Sequence, residues 1–208
     1  MSTIKILIVD DHALFRMGLT SILQTRGEFE VVGDAADGAT AIRKACTLKP
    51  DVIIMDLMMP RTDGAETTAL IRKEWPGARI LLLTTFSTSD GISRALREGA
   101  LGATLKNTNV EELYAAIRSV ASGKRYLSPE VRQIMTDDPP LPALSQRQQQ
   151  ILASMARGLT SADIAKELNI SFDMVRGHTK ALLLKLGAGN RTEAVAIALR
   201  KQFIKSQP

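Results

Sequence analysis

Two short runs constrain the fold more than any other feature. Val52-Ile53-Ile54-Met55 and Ile80-Leu81-Leu82-Leu83 are apolar at every position. A strand with one wet face alternates in polarity, whereas a strand that is apolar throughout is covered on both faces. Ile4–Val9, Phe29–Gly33 and Gly102–Leu105 read as three further strands. Patterns of helical period lie between them. Leu14, Phe15, Gly18, Leu19, Ile22 and Leu23 form one stripe, closed by Gly27. Val110, Leu113, Tyr114, Ile117 and Val120 form another, closed by Gly123. Five strands alternating with five helices predict an α/β doubly wound, five-stranded parallel sheet over residues 1–124. Sites in such sheets form beyond the carboxyl ends of the strands. Asp10-Asp11, Asp56, Thr84 and Lys106 all fall at those ends.

The chain has 208 residues, enough for two domains. It contains no apolar stretch of membrane-spanning length and no signal-peptide layout at its start. Cys46 is the single cysteine, so no internal disulfide can form, and the expected location is the cytoplasm. Cys46 itself reads as core filling within a helix. Charge is spread unevenly. Residues 1–127 carry 16 Lys/Arg against 15 Asp/Glu, and residues 144–208 carry 10 against 4. A small, strongly basic last third suits a polyanion, nucleic acid above all.

Residues 125–143 read as a linker. Ser128-Pro129 allows a short helix to begin, and Asp137-Asp138-Pro139-Pro140-Leu141-Pro142 cannot continue one. Residues 144–208 read as all-α, with helices expected near 146–157, 161–168, 172–186 and 191–203. Ser145 with Gln148 has capping-box spacing, and Asn190 with Glu193 resembles it. Thr160 before Asp163 is a looser cap signal. Gly158 and Asn169 are expected to end the first two helices.

The acidic residues suggest a specific chemistry. Three neighbouring carboxylates repel one another, and a divalent cation relieves that repulsion. Mg²⁺ takes oxygen ligands in octahedral geometry. Asp10, Asp11, Asp56 and the backbone carbonyl of Met58 are its candidate ligands. With its charge neutralised, Asp56 can attack phosphorus and form an acyl phosphate. Lys106 would pair with the phosphate oxygens, and Thr84 would donate its hydroxyl to them. His12 and His178 lack a clustered His or Cys partner, which argues against either as a transition-metal ligand.

At these positions residues 1–124 resemble the receiver domain of bacterial two-component response regulators. The resemblance rests on Asp10-Asp11, Asp56 with Pro60, Asp63-Gly64, Thr84 and Lys106-Asn107 in order. It implies a flavodoxin-like fold, bound Mg²⁺ and phosphorylation of Asp56 by a sensor histidine kinase. One departure stands out. Ala103 occupies the position, three residues before Lys106, where the family usually has a reorienting aromatic residue. Backbone shifts after Thr84 and in the 86–90 loop are expected to carry the signal instead.

Within 160–186 a helix, a turn and a second helix present Arg176, Lys180 and Lys185 between apolar positions. A helix of this kind fits the major groove of double-stranded DNA. Leu144–Ile204 is similar to the LuxR/NarL-type four-helix DNA-binding domain. The similarity is carried by Gly158-Leu159-Thr160, Ile170-Ser171, Val175, His178, Lys185-Leu186-Gly187 and Asn190-Arg191-Thr192-Glu193-Ala194, among others. It implies DNA contacts from the second helix of the motif, at Arg176, His178, Thr179, Lys180 and Lys185. It also implies a homodimer contact on the last helix, at Val195, Ala198 and Leu199. Gln148, Met174 and Gly177 depart from the family pattern. Gly177 removes one side chain from the reading helix.

The expected function is therefore a phosphorylation-controlled transcription factor, not a metabolic enzyme. Two alternatives are a phosphorylation-independent regulator that uses the first domain for docking or dimerisation, and a hydrolase on a flavodoxin-like sheet. The basic helical tail, standing where a second catalytic domain or substrate cap would be, argues against the hydrolase.

Overall fold

The structure is a computed structural model and describes residues 3–59, 63–85 and 89–201. Pro60, residues 86–88 of the expected signalling loop, and the last two residues expected in the fourth C-terminal helix lie outside these. The chain divides into two compact units, Met1–Pro139 and Pro140–Pro208.

In the first unit strands and helices alternate: β1 (Ile4–Val9), α1 (Ala13–Gln24), β2 (Phe29–Ala35), α2 (Gly38–Leu48), β3 (Val52–Met55), α3 (Gly64–Glu74), β4 (Ile80–Thr84), α4 (Ser89–Arg97), β5 (Gly102–Leu105) and α5 (Val110–Ala121). A sixth strand, β6 (Tyr126–Leu127), and α6 (Pro129–Asp137) follow. All strand pairs are parallel, in the order β2-β1-β3-β4-β5-β6. Strand order reverses at β1, so the crevice between the carboxyl ends of β1 and β3 is the switch point of the sheet.

The strand side chains explain why the central runs are apolar throughout. Leu7, Ile53, Met55, Ile80 and Leu82 join one core with Ala41, Ala45, Ile71 and Ile92. Their neighbours Ile6, Ile8, Ile54, Leu81 and Leu83 join the opposite core with Leu19, Leu23, Leu113, Ile117 and Val120. β3 and β4 thus bury both of their faces.

Residues 125–143 are organised differently from the expected linker. Tyr126 and Ser128 donate their N–H groups to the Leu101 and Ala103 carbonyls, which extends the sheet by one short strand. The Ser128 side chain then caps α6, and Pro129 occupies its first turn. Val131 is completely buried and belongs to the same core as Ala103, with Leu127 and Met135 packed against it. Burial of that one helical face is what turns most of the stretch into part of the first unit.

The second unit holds α7 (Gln146–Ala156), α8 (Ser161–Glu167), α9 (Phe172–Leu186) and α10 (Arg191–Arg200). Ile151, Leu152, Ile164, Val175, Leu182, Leu186, Ala194 and Ala198 form its core. Ser145 with Gln148 and Thr160 with Asp163 both make complete capping boxes. Asn190 caps α10 through the Glu193 N–H, whereas the Glu193 carboxylate bonds the N–H of Gly189. Gly158 and Asn169 adopt positive φ (82° and 49°) just beyond α7 and α8, which lets the chain turn there.

Candidate functional site

The switch point brings the sequence-predicted acidic residues together. Asp10 follows β1 and Asp56 follows β3, and each is only 2% exposed. The Asp56 N–H donates to the Val9 carbonyl at 2.8 Å, and the Asp10 N–H to the Ala35 carbonyl at 3.1 Å, so strand ladders fix both backbones. Ligand atoms from Asp10, Asp11, His12 and Asp56 all lie within 4.8 Å of one another. His12 thus stands beside three carboxylates, and among the described residues no second His or Cys joins the group. The His12 Nδ1 lies 2.8 Å from Asp11 Oδ1 and 3.3 Å from Asp10 Oδ1.

Lys106 reaches the cluster from the end of β5. Its Nζ is 2.6 Å from Asp10 Oδ2 and 2.9 Å from Asp56 Oδ2. The Phe15 ring lies beneath the ammonium, with its centroid 4.6 Å away. Burial pushes the Asp56 carboxyl upward. Hydrogen bonds from Lys106 and the Met58 N–H oppose that, and the result stays above the ordinary value of 3.8. For Lys106 burial acts downward, but the bonds to Asp10 and Asp56 outweigh it and hold the amine above its ordinary 10.5. The lysine is thus firmly cationic between two carboxylates. Thr84 is completely buried at the carboxyl end of β4.

The donor set suits a hard divalent cation. All the carboxylates are oxygen donors at one strand-end crevice, and among the described residues Asp11 Oδ1 is buried with no aligned hydrogen bond, His12 Nδ1 standing off-line at 2.8 Å. A buried carboxylate oxygen left in that state is a ready ligand. Met58 directs its N–H to Asp56 Oδ1 at 3.1 Å, which places its backbone beside the pocket.

Gly64, at the start of α3, packs directly against the Asp56 backbone. A Cβ there would stand 2.3 Å from the Asp56 carbonyl oxygen. Asp63 caps α3 through the Glu66 N–H at 2.9 Å and pairs with Arg94 of α4.

In the second unit α9 has two faces. Val175, Leu182 and Leu186 are buried, whereas Asp173, Arg176, Gly177, Lys180, Ala181 and Leu184 recur at helical spacing on the exposed side. Arg176 and Lys180 project into solvent, as a reading helix requires. His178 and Thr179 are half-buried beside the packed stripe. Lys185, the fifth expected DNA contact, is half-buried. Its Nζ donates to the Ala143 carbonyl at 2.9 Å and to Gln148 Oε1 at 3.0 Å, so the ammonium ties α9 to the start of α7. The expected dimer contacts divide as well. Leu199 is exposed, Val195 is half-buried, and Ala198 is a fully buried core residue of its own unit. Small apolar residues on a helix suit an inner core and a partner surface equally, which is why sequence alone does not separate them.

Comparison with known proteins agrees with this architecture. Residues 6–118 match the model of the response regulator receiver domain. Residues 142–198 match that of the bacterial regulatory proteins of the LuxR family. The response regulator protein VraR of Staphylococcus aureus is 38% identical over 208 residues, covering 98% of this chain and all of that protein. The crystal structure of ChrA, a response regulator of a heme-sensing two-component system, is 34% identical with a TM-score of 0.59, covering 98% of this chain and all of ChrA. RcsB of Salmonella enterica serovar Typhimurium, solved bound to a promoter in the presence of the phosphomimetic BeF3⁻, is 26% identical with a TM-score of 0.68, covering 94% and 98%. A doubly wound unit with an acidic switch-point pocket, followed by a helix-turn-helix unit, defines a two-domain signalling regulator. The chain belongs to the response regulators that join a receiver domain to a LuxR-type DNA-binding domain. Among the described residues, no helix is long and apolar enough to cross a membrane.

Proposed function

We propose that Asp56 accepts a phosphoryl group from a sensor histidine kinase and that this controls DNA binding through Arg176 and Lys180. The observation that carries the reading is the Lys106 bridge between Asp10 and Asp56 at a buried strand-end crevice. Asp10, Asp11 and Asp56, with the Met58 carbonyl, would hold Mg²⁺. When bound, the ion supplies charge neutralisation to the carboxylates and the incoming phosphoryl oxygens.

The chain's own residues do the rest. Ionised Asp56 is the nucleophile: one of its carboxylate oxygens forms the bond to phosphorus as the donor's bond breaks. Lys106 already sits within hydrogen-bond distance of that oxygen set, so it follows the developing charge as a fixed counter-charge. The Thr84 hydroxyl, at the next strand end, would donate to the acyl phosphate. Burial excludes water from the nucleophile and strengthens each of these interactions. The family is regulatory, and the phosphorylation chemistry serves signalling in the cytoplasm rather than metabolite turnover.

On the output side, a phosphorylated homodimer would place two copies of α9 in successive major grooves of double-stranded DNA. RcsB, a structural relative that has been solved bound to a promoter, supports this assignment. The test is Asp56→Asn with acetyl phosphate, read by duplex titration and sedimentation. Wild type should gain affinity and dimerise on treatment, and Asp56→Asn should do neither. Equal DNA affinity and oligomeric state in treated and untreated wild type would remove phospho-control. That result would favour the reading in which the receiver serves only docking or dimerisation.

A further inference from the structure

Arg16 lies outside the acidic cluster but is bonded into its backbone. It stands in the first turn of α1, and its side chain is 15% exposed. Nη1 donates to the backbone carbonyl of Asp10 at 2.7 Å. Nε donates to Asp34 Oδ2, also at 2.7 Å. Asp34 is itself held at the end of β2, where Lys44 of α2 donates to its backbone carbonyl.

The Asp10 carbonyl needs such a partner. The ladder between β1 and β2 ends at Val9 paired with Ala35, so Asp10 is the first residue beyond it. Its N–H still reaches the Ala35 carbonyl, but among the described residues no strand N–H donates to its own carbonyl. A backbone acceptor at a buried crevice must find a donor. The planar fork of a guanidinium supplies one in a fixed direction while its second arm is anchored to Asp34. That carbonyl belongs to the peptide joining Asp10 to Asp11. Its orientation therefore sets the plane from which the Asp11 carboxylate departs, and Asp11 carries the buried oxygen that lacks an aligned hydrogen bond.

We propose that Arg16 is a positioning residue for the divalent cation: by holding the Asp10 carbonyl it aims the Asp11 carboxylate, and so sets metal affinity without touching the metal. The inference rests on the acidic-pocket reading given above. Mg²⁺ tolerates little departure from octahedral geometry, and loss of an outer partner of a ligand weakens metal binding by roughly 10–100-fold.

The experiment uses the full chain with Mg²⁺ itself as the probe. Amide NMR titrations give the Mg²⁺ dissociation constant, and thermal melts without metal give stability. Arg16→Met keeps the buried hydrocarbon stem and removes both donors. It should raise the dissociation constant roughly 10–100-fold. Arg16→Gln, a milder change, should raise it too and serves if the Met variant does not fold. Asp34→Ala removes the ion pair but leaves the bond to the Asp10 carbonyl, so its effect on Mg²⁺ should stay under about threefold, while metal-free stability falls in both variants. A merely structural role lowers both melts and leaves the Mg²⁺ affinity of the folded protein unchanged. Wild-type affinity in folded Arg16→Met or Arg16→Gln overturns the inference. Equal weakening by Asp34→Ala overturns it as well, because the carbonyl bond is then not the cause. Asp11→Ala separates the two readings. If it abolishes Mg²⁺ binding while the Arg16 variants bind normally, only the role of Arg16 falls. If Mg²⁺ still binds to Asp11→Ala, the pocket assignment falls with it.

Discussion

Gly64→Ala is a sharp test of how tightly Asp56, the proposed phosphoryl acceptor, is built into its surroundings. A Cβ at this position would lie 2.3 Å from the Asp56 carbonyl oxygen, 2.8 Å from Leu57 Cα and 3.1 Å from the Asp56 carbonyl carbon. Comfortable contacts between carbon atoms lie at about 3.5–4.0 Å, so the methyl must displace its neighbours by about 1 Å. All three neighbours are backbone atoms, and no rotamer change can move them. Overpacking of this kind costs about 1–3 kcal/mol, and the absence of a flexible neighbour puts this case near the upper end. Replacing Gly also restricts the unfolded chain, which returns about 0.4–1 kcal/mol. The net loss is then about 2 kcal/mol, or a fall of roughly 5–10 °C in the midpoint of a unit this size. The consequence for function is larger. The displaced peptide is that of Asp56 itself, and a misplacement of about 1 Å in a reacting group can cost about 100-fold in rate. Thermal melts followed by circular dichroism, and initial rates of acetyl phosphate labelling resolved on phosphate-affinity gels, measure the two effects. A midpoint within about 1 °C of wild type together with a labelling rate within about twofold would refute the argument from close approach, since the stated costs lie well above both.

Gly177→Ala should do the opposite, because a Cβ there meets nothing within 4 Å among the described residues. It should add about 1 kcal/mol to the second unit through helix propensity, read from denaturant titration. The folded value of Asp56 lies above its unfolded one, so the ionised carboxylate subtracts stability at higher pH, and protonation restores it as pH falls through the raised value. Asp56→Asn should therefore raise the metal-free thermal midpoint at pH 7, and a lower midpoint would count against the stated burial cost. Lys106→Met removes a bond that holds the Asp56 carboxyl down, so carbon-detected NMR should show Asp56 titrating at higher pH than in wild type. Arg176→Ala and Lys180→Ala should each reduce the slope of log affinity against log salt by about 1 if each meets a phosphate. An unchanged slope assigns that side chain to base edges or to no contact.

The elements most legible in the sequence were those whose burial leaves a periodic signature. Val52–Met55 and Ile80–Leu83 are buried on both sides and are apolar at every step, so both strands could be placed without a structure. Asp10, Asp56 and Lys106 could be grouped because parallel strands bring their carboxyl ends to one edge. β6 left no such trace: it is two residues long, and two residues have no period. The packing of α6 was hidden for a related reason, since it turns on the complete burial of Val131 against a core whose other members lie far away in sequence. Lys185 has the appearance of an exposed cation on a reading helix, yet its bonding partner is a carbonyl 42 residues away. Arg16 is similar. Its role depends on a carbonyl left over where a ladder stops, and ladder ends are a property of pairing rather than of composition.

The short β6 strand and the helix behind it also govern what the sheet offers to other chains. With Tyr126-Leu127 paired along β5, that side of the sheet presents a two-residue edge followed at once by a helix, too short to recruit a neighbouring strand. A first domain ended at residue 124 would uncover the β5 edge at Gly102 and Ala103 and the apolar surface that Val131 and Leu127 close over Ala103. Such a fragment is expected to self-associate through strand pairing, whereas one carried through Pro139 keeps its edge sealed. Residues 126–137 thus serve the first domain as a selvedge, the woven border that keeps a sheet from taking up further threads.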